Sequence, residues 1–159
     1  MSYKSKIVSL EALLTLRKKW GDNKESVVFT NGCFDILHRG HVDYLNKAAK
    51  LGSKLIVAVN SDASVKSIKS ASRPIQDEDS RAEIMAALSF VDAVIVFSHN
   101  TPETLIESVN PDILVKGSDY KLNEIVGHQF VMANGGQVIT IDFLPGYSTS
   151  LIEKKIKGA

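Results

Sequence analysis

The sequence predicts an α/β fold in which a single domain, residues 1–159, holds a five-stranded parallel sheet with helices on both faces. Two observations predict this fold. Short apolar runs rich in β-branched residues alternate along the chain with segments of helical periodicity, which is typical of parallel strands joined by right-handed helical crossovers. The run 54–60 is apolar between its two end residues, so the strand that it forms is expected to be covered on both faces.

The N-terminal 25 residues are predicted to form a packing helix and a linker. Leucines recur at helical spacing between Ser9, which is placed to cap the helix, and Trp20. The first strand is predicted at 26–29, where the residues are β-branched or aromatic after Ser26. A turn then connects this strand to a helix over about 39–50.

The remaining elements continue the alternation. Later strands are predicted at 93–97, 113–115 and 137–143, and later helices at 77–90, 101–109, 123–133 and from about 149. Acidic residues open the helix at 77, and Thr101 and Pro102 are placed as N-cap and first helical residue. The basic, serine-rich connection 61–74 is predicted to reach over a cleft as a mobile flap.

Composition and charge limit the possible functions. With 44% hydrophobic residues and a formal net charge of +1, the chain has globular composition and no basic stripe, so a nucleic-acid partner is not expected. One cysteine excludes an internal disulfide, the N-terminus lacks the apolar core of a signal peptide, and no apolar run approaches membrane-spanning length. We expect a cytoplasmic enzyme or binder of small anions, without membrane contact.

The most informative stretch is the turn 30–41, Thr-Asn-Gly-Cys-Phe-Asp-Ile-Leu-His-Arg-Gly-His. It joins the first strand to a helix, so the unpaired N–H groups and the positive dipole end of that helix point at whatever the turn holds. Gly32 lets the backbone approach a ligand closely. The turn is therefore predicted to bind a phosphate.

His38 and His41 lie three residues apart at the start of this helix, so both imidazoles are predicted to project from one face. As neutral donors or as imidazolium ions they would stabilise charge that builds on phosphorus during a displacement. Two other interpretations stay open. One histidine near a helix start is often a cap or surface residue, and Cys33 with both histidines could bind a metal, although no fourth ligand follows. We assign no metal ligands and interpret Cys33 as a small packed residue.

Polar and glycine-rich loops follow four of the five predicted strands, at the edge where ligands bind in α/β sheets. They are 30–35, 60–62, 116–120 and 145–150. Turn composition alone could explain any one of them. Gly117 would let backbone groups approach a flat base, with Asp119 and Tyr120 reading its edge or holding a ribose. Ser148 and Thr149 stand before the last helix, where they either cap it or hold a second phosphate.

The run 30–41 resembles the HxGH signature of the cytidylyltransferase-like nucleotidyltransferases. The residues of this run are most similar to the signature of the heptose 1-phosphate adenylyltransferases of bacterial surface-polysaccharide synthesis. The run 147–152, Tyr-Ser-Thr-Ser-Leu-Ile, resembles the family's second signature, a Ser/Thr-rich helix start that holds the triphosphate, and 116–120 resembles its base loop. The match covers nearly the whole chain from Val27 onward and implies a Rossmann-like fold and a homodimer.

The resemblance implies transfer of AMP from ATP to heptose 1-phosphate, giving ADP-heptose and pyrophosphate for lipopolysaccharide or capsule synthesis. The sugar phosphate would attack the α-phosphorus in line, so that positioning does most of the work. Magnesium is expected to screen the triphosphate. A separate sugar kinase would act upstream, because 159 residues leave no room for one.

The predicted site residues fall into three groups. Those expected to stabilise the α-phosphate during catalysis are His38, His41 and Lys66. Those expected to bind the nucleotide are Thr30, Asn31, Gly32, Cys33, Phe34, Gly40, Lys116, Gly117, Asp119, Tyr120, Ser148 and Thr149. Those expected to bind the sugar phosphate are Asp35, Asp62, Arg73 and Arg81. The role of Lys69 stays open, because relatives often carry glycine where Ser70 stands.

Three alternatives stay open at this point. Glycerol 3-phosphate cytidylyltransferases share HxGH, but as a group they carry an Arg-containing stretch before the Ser-Thr signature, and 145–147, Pro-Gly-Tyr, has none. A non-catalytic nucleotide-binding module on the same fold would hold ATP and release no pyrophosphate. A metal-dependent hydrolase would use Cys33, His38 and His41.

Overall fold

A parallel sheet forms the centre of the structure, a computed structural model that describes residues 2–158. Its strands are β1 (Val27–Gly32), β2 (Lys54–Asn60), β3 (Ala93–Phe97), β4 (Ile113–Gly117) and β5 (Gln137–Ile141). Their order is β3-β2-β1-β4-β5, and every pair is parallel. The strand order therefore reverses between β1 and β4, where ligands bind in open α/β sheets. The predicted α/β fold is confirmed.

Helices connect and flank the strands. They are α1 (Leu10–Asp22), α2 (Arg39–Ala49), α3 (Asp62–Ile68), α4 (Glu78–Ala87), α5 (Glu103–Val109), α6 (His128–Ala133) and α7 (Thr149–Ile156). Two 3₁₀ turns, Tyr3–Lys6 and Leu122–Glu124, complete the regular structure of the described residues. None of the helices within 2–158 is both long enough and apolar enough to cross a membrane.

The sheet separates two apolar cores, as the alternation of strand side chains requires. One core packs α1, α5 and α6 against one face of the sheet, with Phe29 and Ile56 fully buried in it. The other packs α2 and α4 against the opposite face, with Val28 and Leu55 buried in it. Adjacent residues of β1 and of β2 thus point to opposite cores, and helices cover both faces as predicted.

The segment 61–74 differs from the predicted flap, because α3 forms its first half. Ser61 caps this helix by accepting a hydrogen bond from the backbone N–H of Ser64, and Val65 is buried on its inner face. A single buried valine among serines is a weak periodic signal. Tertiary burial therefore makes a helix where the local sequence resembles a loop.

Two other helices differ in their boundaries. The helix predicted at 123–133 is divided, because Gly127 takes a left-handed conformation with φ 84° between the 3₁₀ turn and α6. Pro102 is the N-cap of α5 and not its first residue. The N-terminal segment also does more than pack: Ile7 forms a parallel bridge with Val94 and so extends the sheet beyond β3.

We expect the packing of α1 to depend on Leu13, which is fully buried. Leu13→Ala should lower the free energy of unfolding by about 2–5 kcal/mol, because it removes buried methyl groups and leaves a cavity. Leu14→Ala is the matched control on the same helix, since Leu14 is 36% exposed, and should cost less than about 1 kcal/mol. Urea unfolding measures both variants, and equal losses would contradict the described packing.

Candidate active site

A cavity of about 390 Å³ opens at the carboxyl edge of the sheet. Its wall includes residues from the loops that follow all five strands, which is the position that a reversal of strand order predicts for a ligand. The predicted site residues in this wall are Asn31, Gly32, Cys33, Phe34, Asp35, His41, Arg73, Lys116, Gly117, Tyr120 and Thr149. More than half of the predicted site residues therefore lie around one cavity.

His38 and His41 are stacked at the start of α2, with ring centroids 3.8 Å apart and an angle of 23° between the rings. His38 is the N-cap of the helix, and His41 lies in its first turn and lines the cavity. The ring of Phe34 meets His41 edge-on at 5.7 Å. Both Nδ1 atoms are buried and have no hydrogen-bond partner in the structure. A ligand cannot reach these two atoms as the rings stand, so Nε2 is the nitrogen of each ring that is left to meet a ligand beside the helix N-terminus.

Both imidazoles are neutral in the free protein at neutral pH. Burial, together with the charges of His38 and Lys69, lowers the pKa of His41 to about 4, and burial alone lowers the pKa of His38. A neutral imidazole carries one N–H donor and one acceptor nitrogen. An anion that accepts a hydrogen bond from each ring would favour the protonated imidazoles and so raise both pKa values.

The absence of a side chain at Gly40 leaves the space that the His38 ring occupies. A Cβ atom on residue 40 would lie 2.9 Å from Cε1 of His38 and 3.2 Å from Cβ of Tyr147. Glycine therefore lets the imidazole and the loop before α7 lie against the first turn of α2. This contact explains the second glycine of the signature physically, whereas the predicted contact of Gly40 with a nucleotide stays a prediction.

Asp35 and Arg73 are brought together as a buried ion pair. The carboxylate of Asp35 accepts from Nη1 of Arg73 at 2.9 Å and from the backbone N–H groups of Ile75 and Gln76 at 2.7 and 2.9 Å. Nη2 of Arg73 pairs with Glu153 of α7 at 3.0 Å. Arg73 therefore links the end of the segment 61–74 to both signature regions while it lines the cavity.

Arg81 and Asp62 also form a pair, but outside the cavity wall. Arg81 has no exposed surface, and its guanidinium donates to a carboxylate oxygen of Asp62 at 2.8 Å. It also donates to the backbone carbonyls of Cys33 at 2.7 Å and Gln76 at 2.9 Å. All three donor nitrogens are occupied. The geometry gives Arg81 a supporting place under the loop, and the predicted substrate contact of these two residues stays a prediction.

Lys66 lies within α3 and Lys69 lies at its C-terminal end, and the two side chains have different positions relative to the cavity. Lys66 is exposed and is not part of the cavity wall, whereas Lys69, whose role the sequence leaves open, lines the cavity. Lys69 is the C-cap of α3, so its place depends on where that helix ends. Because α3 itself was not predicted, the sequence had no signal that distinguishes the two lysines.

The end of β4 and the loops after β4 and β5 bring a cation and two exposed aromatic rings together. Nζ of Lys116 donates to the backbone carbonyl of Asn31 at 3.1 Å and lies 5.3 Å from the ring centroid of Tyr120. Burial lowers the pKa of Lys116. The ring of Phe143 occupies the space where a side chain on Gly117 would stand, and it is half exposed to the cavity. A flat apolar group could stack here.

The other predicted nucleotide ligands have varied environments. Thr30 is buried, and its hydroxyl forms a hydrogen bond with that of Tyr44 at 2.9 Å, whereas Oδ1 of Asn31 is buried without a hydrogen-bond partner.

The start of α7 is fixed by two hydroxyl groups. Ser148 caps α7 by accepting a hydrogen bond from the backbone N–H of Leu151. The hydroxyl of Thr149 donates to the backbone carbonyl of Asp35 at 2.9 Å, so α7 is tied to the signature loop. Burial raises the pKa of the Cys33 thiol, which disfavours a thiolate nucleophile. Asp119 is exposed beside Gly117.

Part of the cavity wall was missed by sequence reasoning. The loop after β3 carries no motif, yet Asn100, Thr101 and Pro102 line the cavity, as do Asn60 at the end of β2 and Glu124 of the second 3₁₀ turn. Asn60 is the last residue of the predicted strand 54–60 and opens the polar loop 60–62, which is a usable signal. Only the strand order, in which β3 neighbours β2, shows that the loop after β3 belongs to the site.

The described residues form no cluster of side chains that could hold a metal ion by themselves. Mg²⁺ prefers oxygen ligands and commonly binds through nucleotide phosphates and few carboxylates. Within residues 2–158 no three His, Cys, Asp or Glu side chains converge on a metal position, and the Asp35 carboxylate already accepts three hydrogen bonds. The same geometry gives Cys33, His38 and His41 no three-ligand centre.

Comparison with known proteins identifies relatives over most of the chain. A family model described as Cytidylyltransferase-like matches residues 29–155. The chain is 52% identical over 157 residues to the Bifunctional protein HldE of Campylobacter jejuni, which covers 99% of this chain and 32% of that protein. It is 51% identical over 152 residues to the Bifunctional protein HldE of Vibrio cholerae, which covers 96% of this chain and 32% of that protein. The chain thus spans about a third of the length of the curated relatives that it matches.

A solved structure supports the same relationship. The lipopolysaccharide core biosynthesis protein from Thermoplasma volcanium is 32% identical in sequence to this chain and superposes with a TM-score of 0.63. The alignment covers 76% of this chain and 97% of that one. The two proteins therefore share both fold and sequence over nearly the whole length of the Thermoplasma volcanium protein.

We expect the buried histidine pair to destabilise the fold in acid. An unperturbed imidazole titrates near 6.5, whereas the pKa of His41 is about 4 in the folded protein, so the unfolded state binds more protons between these values. The free energy of unfolding therefore falls as the pH falls through this window. His41→Asn should reduce that acid loss by about 1–3 kcal/mol, measured by urea unfolding at neutral pH and near pH 4.

His99→Asn is the control for this measurement, because His99 is exposed in the loop after β3. It should lose as much stability in acid as the unmodified protein does. An equal acid loss in His41→Asn and His99→Asn would show that the His41 imidazole is not buried in the neutral form.

Proposed function

Since the chain belongs to the cytidylyltransferase-like family, we propose that it transfers AMP from ATP to heptose 1-phosphate and releases pyrophosphate and ADP-heptose. The observation that carries this proposal is the stacked pair of His38 and His41 at the start of α2, with His41 in the wall of the cavity. A phosphate at this position would meet both imidazoles and the helix N-terminus together. Such a site suits the α-phosphate of a nucleotide.

The reaction needs no covalent enzyme intermediate. One oxygen of the sugar phosphate attacks the α-phosphorus in line, the bond from that phosphorus to the bridging oxygen breaks, and pyrophosphate leaves with the bonding electrons. The N–H groups of His38 and His41 would donate to the non-bridging oxygens, on which negative charge is concentrated in the transition state. Because the pair is neutral and already held in place by Phe34 and Gly40, it costs little reorganisation.

The nucleotide would lie along the loops after β1, β4 and β5. The base would lie near Gly117 and Phe143, whose exposed ring faces the cavity. The triphosphate would pass the backbone of 31–34 towards Thr149 at the start of α7. Magnesium, when bound with the nucleotide, would screen the triphosphate charge. Lys116, which lines the cavity and whose pKa is lowered by burial, would add a donor beside the phosphates.

The acceptor phosphate would lie towards the segment 61–74. Lys69 and Arg73 bring two cations to this side of the cavity. Arg73 is held by Asp35 and Glu153, so its guanidinium is fixed in orientation before the acceptor binds. A fixed guanidinium suits a phosphate that must approach along one line.

The choice of heptose 1-phosphate is supported by two features. The amino-acid sequence of the signature 30–41 is most similar to that of heptose 1-phosphate adenylyltransferases, and a solved relative is described as a lipopolysaccharide core biosynthesis protein. The reaction would take place in the cytoplasm, where ATP is available. A sugar kinase activity would supply the 1-phosphate, either on another protein or elsewhere on a longer chain, and a homodimer is proposed from the family resemblance alone.

A pyrophosphate-release assay tests this function. The protein with magnesium should release pyrophosphate with ATP and heptose 1-phosphate, and His38→Ala or His41→Ala should lower kcat by about 10²–10³-fold because a transition-state donor is lost. His99→Ala, an exposed histidine, is the control. Crossing ATP, CTP and GTP with heptose 1-phosphate and glycerol 3-phosphate identifies the pair. Release with CTP and glycerol 3-phosphate would replace the substrate, and ATP binding without release by any pair would contradict the proposed activity.

The two lysines allow a second test in the same assay. Lys69→Ala should lower kcat/KM by about tenfold or more, because Lys69 faces the cavity, and one lost charge-assisted contact costs about that factor. The kcat/KM of Lys66→Ala tests the predicted catalytic role of Lys66, which lies outside the cavity wall. A larger loss in Lys66→Ala than in Lys69→Ala would show that α3 moves before the reaction.

A further inference from the structure

The loop that leads to the histidine pair holds two residues in an unfavourable backbone conformation. Phe34 and Ile36 have φ angles of 50° and 51°. Residues with a Cβ rarely adopt a positive φ, and a β-branched residue such as isoleucine is especially disfavoured there. Such a conformation persists only where surrounding contacts hold it.

Most of those contacts come from the segment 73–81, which lies against the loop, and Thr149 of α7 adds one more. The backbone N–H groups of Ile75 and Gln76 donate to the Asp35 carboxylate, and Arg81 donates to the carbonyl of Cys33. In addition, Oε1 of the Gln76 side chain accepts from the backbone N–H of Ile36 at 2.9 Å.

The hydrogen bond from Ile36 to Gln76 can be removed separately from the others. The remaining bonds that residue 76 forms with the loop and with Arg81 use its backbone N–H and carbonyl, which a side-chain substitution retains. Without Oε1, the half-buried N–H of Ile36, which belongs to the residue with positive φ, would lose its partner. That residue lies two positions before His38.

We propose that Gln76 is a positioning residue for the reaction: its side-chain carbonyl holds the N–H of Ile36 and so fixes the loop 33–38 that presents His38 and His41. This inference rests on the proposed function. Gln76 does not line the cavity, so a nucleotide that binds there would not contact it. Its loss should therefore act on the transition state, through the placement of the imidazoles, and leave ground-state binding nearly unchanged.

Three variants test the proposal. Gln76→Met keeps a side chain of similar size without an acceptor oxygen, and Gln76→Glu restores an acceptor for the Ile36 N–H. Gln129→Met is the matched control, since Gln129 is exposed on α6. The measurements are kcat and KM for ATP in pyrophosphate release, the melting temperature, and the imidazole ¹⁵N shifts of His38 and His41.

Gln76→Met should lower kcat by about 10²-fold, because displacement of a catalytic group by about 1 Å has an effect of this size. Its KM for ATP should change little, and its melting temperature should show that it folds. Gln76→Glu should recover most of kcat, and Gln129→Met should behave as the unmodified protein. The imidazole ¹⁵N shifts should move in Gln76→Met and return in Gln76→Glu.

Several results would overturn the proposal. Full kcat in Gln76→Met would show that the hydrogen bond has no part in the reaction, and equal losses in Gln76→Met and Gln76→Glu would show that an acceptor is not what matters. A raised KM at unchanged kcat would assign Gln76 to ligand binding. If the unmodified protein releases no pyrophosphate with any pair, the proposed function fails. The imidazole shifts then still decide the positioning claim, because unchanged shifts in Gln76→Met would overturn it without reference to turnover.

Discussion

The central place of β1 in the sheet is the constraint on which the rest of the structure depends. Thr30 of β1 is paired in parallel with Val57 of β2 on one side and with Val115 of β4 on the other. Because the chain leaves β1 towards β2 and later returns to its other side, the loop after β1 lies at the reversal of strand order. The helix α2 starts in this crevice, and His41 of its first turn lines a cavity that loops from both halves of the sheet surround.

The anion site is built by local geometry and not by overall charge, since the chain carries a formal net charge of only +1. Its donors are neutral imidazoles kept from protonation by burial, and a lysine, Lys116, that bonds to a backbone carbonyl instead of a carboxylate. Arg73 is the contrasting case, because Asp35 and Glu153 already compensate its charge and thereby orient it. Preorganised neutral donors and oriented cations can stabilise phosphate charge in the transition state without a strong long-range field.

The parts of the fold that local sequence signals specify were predictable. The strands 54–60 and 93–97 and the start of the last helix at Thr149 agree with the structure residue for residue, because uniform apolar runs and capping residues act locally. The signature 30–41 located the histidine pair for the same reason. What could not be predicted depends on tertiary contacts: α3 forms because Val65 is buried, Lys69 faces the cavity because α3 ends there, and Gln76 reaches Ile36 across 40 positions of sequence. The wall formed by 100–102 likewise depends on the order of the strands.

The central claim is that the neutral histidine pair at the start of α2 receives the α-phosphate of the nucleotide. A crystal structure of the protein with a non-hydrolysable ATP analogue tests it most directly. We expect non-bridging oxygens of the α-phosphate to lie within hydrogen-bond distance, about 2.7–3.2 Å, of a ring nitrogen of both His38 and His41. A triphosphate bound elsewhere in the cavity, with both imidazoles still stacked and without a phosphate partner, would contradict it.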